Sequence, residues 1–200
     1  MKIRVLVLSL ALVVISACSK EAQVSLVKLN QWSCGATGSG NPVWELIVDG
    51  TDENVLKQSG KADYPFCTHQ NVMLENGIIQ VQFKPISGQN DQAGGVIWRQ
   101  QNRNNYYVAR ANALENNISL YYTKDGVRHT LAYEDAPVAR NQWHTLSVEN
   151  VGDVIKVSLD GKQYIELKDV TFQKGGSVGV WTKSDSVTLF KDFQYKRGVK

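Results

Sequence analysis

Short β-prone runs, cut apart by turn dipeptides, constrain this chain more than any other feature. Asn76-Gly77, Asp125-Gly126 and Asp160-Gly161 each stand between two such runs. Dipeptides of this kind readily take the positive φ that a tight hairpin needs. The clearest runs are Trp44–Asp49, Gly77–Ile86, Gly95–Gln100, Tyr106–Asn112, Ile118–Lys124, Trp143–Glu149, Val154–Leu159, Tyr164–Leu167, Ser177–Lys183 and Val187–Tyr195. No stretch between them carries the apolar period of an amphipathic helix. In Val154–Leu159, Ile155, Val157 and Leu159 share one side while Lys156 and Ser158 share the other, the pattern of a strand with one buried face. The last run alternates similarly, with Val187, Leu189, Lys191 and Phe193 set against Thr188, Phe190, Asp192 and Gln194. Strands at this spacing, without intervening helices, predict an all-β antiparallel sandwich of two sheets. No internal repeat, linker or low-complexity stretch divides it, so one domain is expected.

The first residues read as a secretory leader. Lys2 and Arg4 form a basic start, Val5–Ile15 is apolar, and Ile15-Ser16-Ala17-Cys18 ends in small residues before a cysteine. The apolar run is shorter than the roughly 20 residues of a membrane span. The tetrapeptide resembles a bacterial lipobox, which implies cleavage before Cys18 and acylation of its thiol and amine. The alternative is an ordinary cleaved signal in which Cys18 is incidental. Two or more acyl chains, at about 0.8 kcal/mol per buried methylene, hold a protein stably on a bilayer. Ser19 stands where an inner-membrane retention signal would place Asp, so resemblance to lipoprotein sorting rules implies the outer membrane of a bacterial envelope. The expected organisation is a signal peptide over 1–17, a lipidated N-terminus and tether over 18–25, and one domain over 26–198. The lipid would be the only membrane contact.

Charge and cysteines narrow the partners. The chain has 22 Lys and Arg against 19 Asp and Glu, and losing Lys2 and Arg4 with the leader leaves 20 against 19. Near-neutrality without basic runs argues against a nucleic-acid partner. Cys34 and Cys67 remain as an even pair, which in an oxidising envelope predicts a disulfide. No Cys-x-x-Cys spacing suggests a metal or redox pair instead.

Three blocks bring a family into view: Asp91-Gln92-Ala93-Gly94-Gly95-Val96-Ile97-Trp98-Arg99, Asn105 to Asn117, and Val180-Trp181-Thr182-Lys183-Ser184-Asp185-Ser186. With Gln142-Trp143-His144 they resemble the 3-keto-disaccharide hydrolase domain, a family 16 glycoside-hydrolase-like group. That group belongs to the concanavalin A-like lectin/glucanase jelly rolls, together with laminin-G-like modules. The resemblance implies a jelly-roll sandwich whose concave sheet binds glycans in many relatives. Fold alone does not give the function.

Retaining glucanases of this type carry Glu-x-Asp-x-x-Glu on one strand face, and this sequence has no such pattern. Glu134 and Asp135 are adjacent and would point to opposite faces, while Glu166 and Asp169 are three positions apart. Gly175-Gly176-Ser177-Val178-Gly179 matches Gly-x-Ser-x-Gly, but that motif works only at a strand-to-helix elbow, and here it enters another β-prone run. His69, His129 and His144 show no zinc spacing. Asp49, Asp52 and Asp192 are calcium candidates, as some family 16-like jelly rolls hold a structural calcium; a solvated acidic turn is the other reading. No other cofactor is expected.

A sugar site would draw on Trp98, Tyr106, Tyr107 and Trp181 as ring platforms, and on Arg99, Arg110, Asn112, Glu115, Lys183 and Asp185 as polar contacts. Strand parity sharpens this. If Val96 and Trp98 face the core, Ile97 and Arg99 face outward, and Trp181 shares a face with Lys183. The competing reading places the aromatic residues in the core, with the arginines pairing across the sheet. Three functions follow as expectations: an envelope lipoprotein that binds carbohydrate, a glycosidase using Glu115 and Asp185 as acid/base groups, or an assembly lipoprotein that binds a protein partner.

Overall fold

The computed structural model describes residues 31–198. The leader, Cys18 and the tether lie outside the described residues. Fourteen strands are formed, and no α-helix occurs among the described residues. They are β1 (Trp32–Asn41), β2 (Trp44–Asp49), β3 (Asp52–Gln58), β4 (Lys61–Leu74), β5 (Gly77–Ser87), β6 (Ala93–Asn102) and β7 (Asn105–Asn112). Then follow β8 (Asn117–Lys124), β9 (Val127–Asp135), β10 (His144–Val151), β11 (Val154–Leu159), β12 (Lys162–Lys168), β13 (Gly176–Trp181) and β14 (Val187–Arg197).

Two antiparallel sheets of seven strands result. The first has the order β1-β4-β13-β6-β7-β8-β9 and the second β12-β11-β10-β5-β14-β3-β2. Asp125 and Gly126 take φ of 50° and 82° between β8 and β9, and Asp160 and Gly161 take 50° and 79° between β11 and β12. Positive φ at both central residues is the type I′ geometry that suits twisted hairpins. Asn76-Gly77 is different: β4 lies in the first sheet and β5 in the second, so this dipeptide crosses between sheets and closes no hairpin. The glycine-rich stretch from Gly175 runs directly into strand β13, which removes the nucleophile-elbow geometry.

The core lies between the sheets. Val96, Trp98, Tyr107, Leu120, Val178 and Val180 from the first meet Ile79, Val81, Phe83, Leu146, Val157 and Phe190 from the second. Burying each large apolar side chain contributes about 1.5–3 kcal/mol. The Trp98 indole N–H donates to Asn150 Oδ1 at 3.0 Å, so this deep ring leaves no unmet donor. Gly94 marks a close approach: a Cβ there would sit 2.2 Å from the Phe83 ring. Cys34 and Cys67 are direct cross-strand partners in β1 and β4 and form the expected disulfide.

The outer face of the first sheet carries a second apolar cluster: Phe66, Ile97, Tyr106, Val108, Tyr121 and Trp181. Contacts across this face show that the sheet is strongly curved. Thr37 Oγ1 of β1 hydrogen-bonds Tyr106 of β7 at 2.9 Å, although three strands separate them in the sheet. Arg128 of β9 lies over the Tyr64 ring of β4, with four strands between.

Candidate functional site

The curved face gathers a charged network at the end of β6 where the β5–β6 and β13–β14 connections meet. Asp91 is its centre and is 1% exposed. Arg110 Nη1 donates to it at 2.8 Å, Asn112 Nδ2 at 2.9 Å and Lys183 Nζ at 2.6 Å. Arg110 Nη2 also donates to Glu115 Oε2 at 2.6 Å, and Asn117 Nδ2 reaches the same oxygen at 2.7 Å. β7 places Arg110 and Asn112 on one side by its two-residue period, and the β7–β8 turn returns Glu115 toward them. Burial alone would raise the Glu115 pKa, but Asn117, Arg110 and Lys183 outweigh it and hold the carboxyl below its ordinary range.

A cleft of about 470 Å³ opens beside this network, lined among others by Asp63, Tyr64, Asn90, Asp91, Gly126 and Lys183. Ser39 donates its backbone N–H and its hydroxyl to Asp63, which lowers that pKa and holds β1 against the cleft wall. Trp181 is fully buried under Tyr64, with ring centroids 5.7 Å apart and planes 19° from parallel. Two buried donors here have no partner among the described residues, the Trp181 indole N–H and Arg110 Nε. Unpaired buried donors are costly and rare in native structures.

The structure therefore brings together Arg110, Asn112, Glu115, Trp181 and Lys183, and rearranges their roles. Lys183 and Glu115 are the accessible members, with side chains 25% and 38% exposed. Asn112 is buried with both ends of its amide engaged, Oδ1 accepting from the N–H groups of Gln92 and Leu114. It positions Asp91 and does not face solvent. Trp181 is no open platform, because Tyr64 covers it. Asp185 serves a loop: its carboxylate accepts the backbone N–H groups of Gln89, Asn90 and Asp91 at 2.9, 3.0 and 3.2 Å. Burial would raise its pKa, and those N–H groups more than offset this and keep it low. A general acid needs the opposite shift. Both shifts favour the ionised carboxylate.

Two expected contacts lie elsewhere. Arg99 is 1% exposed and does not face outward. Its φ is 45° and the β6–β7 register slips between Trp98 and Asn102, so a bulge breaks the parity that holds for Val96, Ile97 and Trp98. The guanidinium turns to the end of the sandwich and donates to the carbonyl oxygens of Glu75, Phe172 and Gly152. Tyr107 is a core residue stacked on Trp98 at 5.4 Å, with its hydroxyl donating to Asp169. Burial, and then the Asp169 hydrogen bond, push its pKa up to about 12.

The calcium candidates are separately engaged on the second sheet. Asp49 pairs with Lys84, Asp52 with Lys191 at 2.6 Å, and Asp192 accepts from Gln82 at 2.9 Å. No group of three or more metal-ligating side chains occurs among the described residues. No described helix is long and apolar enough to cross a membrane. Sequence reasoning missed Asp91, Tyr64 and Arg128. Asp91 opens the Asp91–Arg99 segment, where nothing in the sequence marks it as the centre of an ionic network.

No family model matches the sequence, and no curated protein matches it. Solved structures do match. The carbohydrate-binding module CBM66 from Bacillus subtilis superposes with a TM-score of 0.69 at 20% identity, covering 83% of this chain and 95% of that one. A Bacillus licheniformis β-glucanase gives 0.61 at 10% identity, covering 89% and 97%. The exoplasmic/lumenal domain of VIP36, in a form bound to Ca2+ and Man3GlcNAc, gives 0.60 at 12% identity, covering 86% of each chain. The fold is the concanavalin A-like jelly-roll sandwich of lectins and glucanases.

Proposed function

We propose that the curved face of the first sheet binds carbohydrate, with Lys183 and Glu115 as the accessible polar contacts. One observation carries the reading: a charged network and two unpaired buried donors, Arg110 Nε and Trp181 Nε1, lie on the face that a 470 Å³ polar cleft opens onto. Sugar hydroxyls supply both donors and acceptors, which such a surface can satisfy, whereas an apolar ligand would leave the network desolvated and unpaired. Structural neighbours that include a carbohydrate-binding module, a β-glucanase and a domain bound to Man3GlcNAc support the same class of ligand.

Glycan-array binding followed by calorimetry tests this. Lys183→Ala and Glu115→Gln are expected to weaken binding at least tenfold while leaving the near-ultraviolet circular-dichroism spectrum unchanged. A folded protein that binds nothing across diverse glycans removes the proposal. The basic start, the apolar run and the Ile15-Ser16-Ala17-Cys18 box support a second proposal, that the domain is displayed from a bacterial outer membrane by lipid on Cys18. Metabolic labelling with palmitate tests it, with Cys18→Ser expected to abolish incorporation; equal labelling of the variant would exclude Cys18 as the site.

A further inference from the structure

We infer that the sugar taken by the curved face is anionic, its carboxylate or sulfate ester seating against Arg128; the inference rests on the carbohydrate reading above and narrows its ligand class. Arg128 stands in β9, on the hairpin whose turn residue Gly126 lines the cleft. Its guanidinium lies 4.4 Å from the Tyr121 ring centroid and 5.4 Å from that of Tyr64, itself a cleft residue. Aromatic faces of this kind hold the cation in place. They offer no acceptor in the plane of its N–H groups. Nη1 is buried without a hydrogen-bond partner, and no ion pair joins Arg128 to any described residue.

The neighbouring Arg110 is matched by Asp91 and Glu115. Arg110 and Arg128 share the Tyr121 ring, with Arg110 at 5.7 Å, so the unmatched guanidinium sits beside the network and not on a remote surface. The three unpartnered buried donors of this face are Arg128 Nη1, Arg110 Nε and Trp181 Nε1, and two of the three belong to cations. A neutral hydroxyl can accept one such bond but brings no charge. A carboxylate or sulfate brings several oxygens and the missing counter-charge, and charge-assisted hydrogen bonds are about twice as strong as neutral ones. The guanidinium fork suits two-point contact with either group. An uncompensated, half-buried cation held by rings is a site prepared for an anion.

An array of matched glycan pairs tests this: oligouronates and their methyl esters, sialylated and asialo oligosaccharides, and sulfated and desulfated oligosaccharides, beside neutral gluco- and mannooligosaccharides. The protein is expected to bind an acidic member at least tenfold more tightly than its neutral partner at low salt, with the margin shrinking as salt rises. Which pair shows the margin identifies the anionic group. Arg128→Gln should erase the preference, and Arg128→Lys should keep part of it. Equal binding of acidic and neutral members, or a preference that survives in Arg128→Gln, overturns the inference and leaves the carbohydrate reading standing. A folded protein that binds no member, acidic or neutral, overturns both.

Discussion

Replacing Asp91 by alanine probes how far the curved-face network is built into the fold. The carboxylate is 1% exposed and takes donors from Arg110, Asn112 and Lys183. Lys183 is a quarter exposed and can turn to water, so its pair is worth about 0–1 kcal/mol. Arg110 has no such escape. It is 2% exposed, its Nε already lacks a partner, and Glu115 would remain as its one carboxylate. Removing one member of a buried ion pair costs about 3–5 kcal/mol. The surviving Glu115 contact offsets part of that, which places the expected loss near the lower end, about 3 kcal/mol. Domains of this kind are stable by only about 5–15 kcal/mol in all, so the change is large. Urea unfolding followed by tryptophan fluorescence, with the disulfide intact, should show a lower midpoint at unchanged m-value. Lys183→Ala should lose less than about 1 kcal/mol. Adding Arg110→Met to Asp91→Ala should recover stability, because methionine needs no partner, and the double-mutant cycle reads that coupling. A loss below about 1 kcal/mol in Asp91→Ala, or strict additivity in the cycle, would refute the reasoning, since Arg110 would then have found water.

Tyr107 gives a prediction at the alkaline end. Its folded pKa of about 12 stands above the ordinary phenol value of 10.0, so the fold favours the protonated phenol, and the stability this contributes is present below pH 10 and lost as pH rises toward 12. Absorbance at 295 nm should show one tyrosine ionising with unfolding, and Tyr107→Phe should remove that late component; a Tyr107 that titrates with the exposed phenols contradicts its placement. The Cys34–Cys67 bridge spans a sequence separation of 33. By the chain-entropy model, its loss in Cys34→Ala/Cys67→Ala should lower the unfolding free energy by about 3–4 kcal/mol, and an unchanged urea midpoint would speak against that model here.

The sandwich was legible because strands with one wet face write their geometry into the sequence. Val154–Leu159 alternates in sequence and alternates in burial along β11. Four strands escaped: β1, β3, β4 and β9. β1 and β9 are the two edges of the first sheet, and β4 and β3 each lie one place in from an edge. Edge strands bury less, and they carry glycine, charge and polar residues that dilute the alternation. Ser33-Cys34-Gly35-Ala36-Thr37-Gly38-Ser39-Gly40 in β1 and Val127-Arg128-His129-Thr130 in β9 show that dilution. Missing β9 meant missing Arg128, and missing β4 meant missing Tyr64. Parity found Ile97 and Lys183 on the outer face, yet failed at Arg99, where a positive φ turns the side chain to the end of the sandwich. A local bulge has no counterpart in a two-residue period.

The same curvature explains why the site was only half readable. A flat sheet would expose Trp181, Tyr106 and Tyr121 as an aromatic floor. Curling brings β1 and β9 over the face, so Tyr64 and Arg128 cover the floor and Thr37 caps Tyr106. The rings then serve as support for charged groups: Tyr121 beneath Arg110 and Arg128, and Trp181 beneath Tyr64. The shape of this face therefore depends on long-range closure between edge strands. Loosening β1, for instance by Asp63→Ala, which removes both Ser39 contacts, should weaken glycan binding without touching Arg110, Glu115 or Lys183. Full affinity in that variant would mean the curved wall is dispensable and the ionic network alone makes the site.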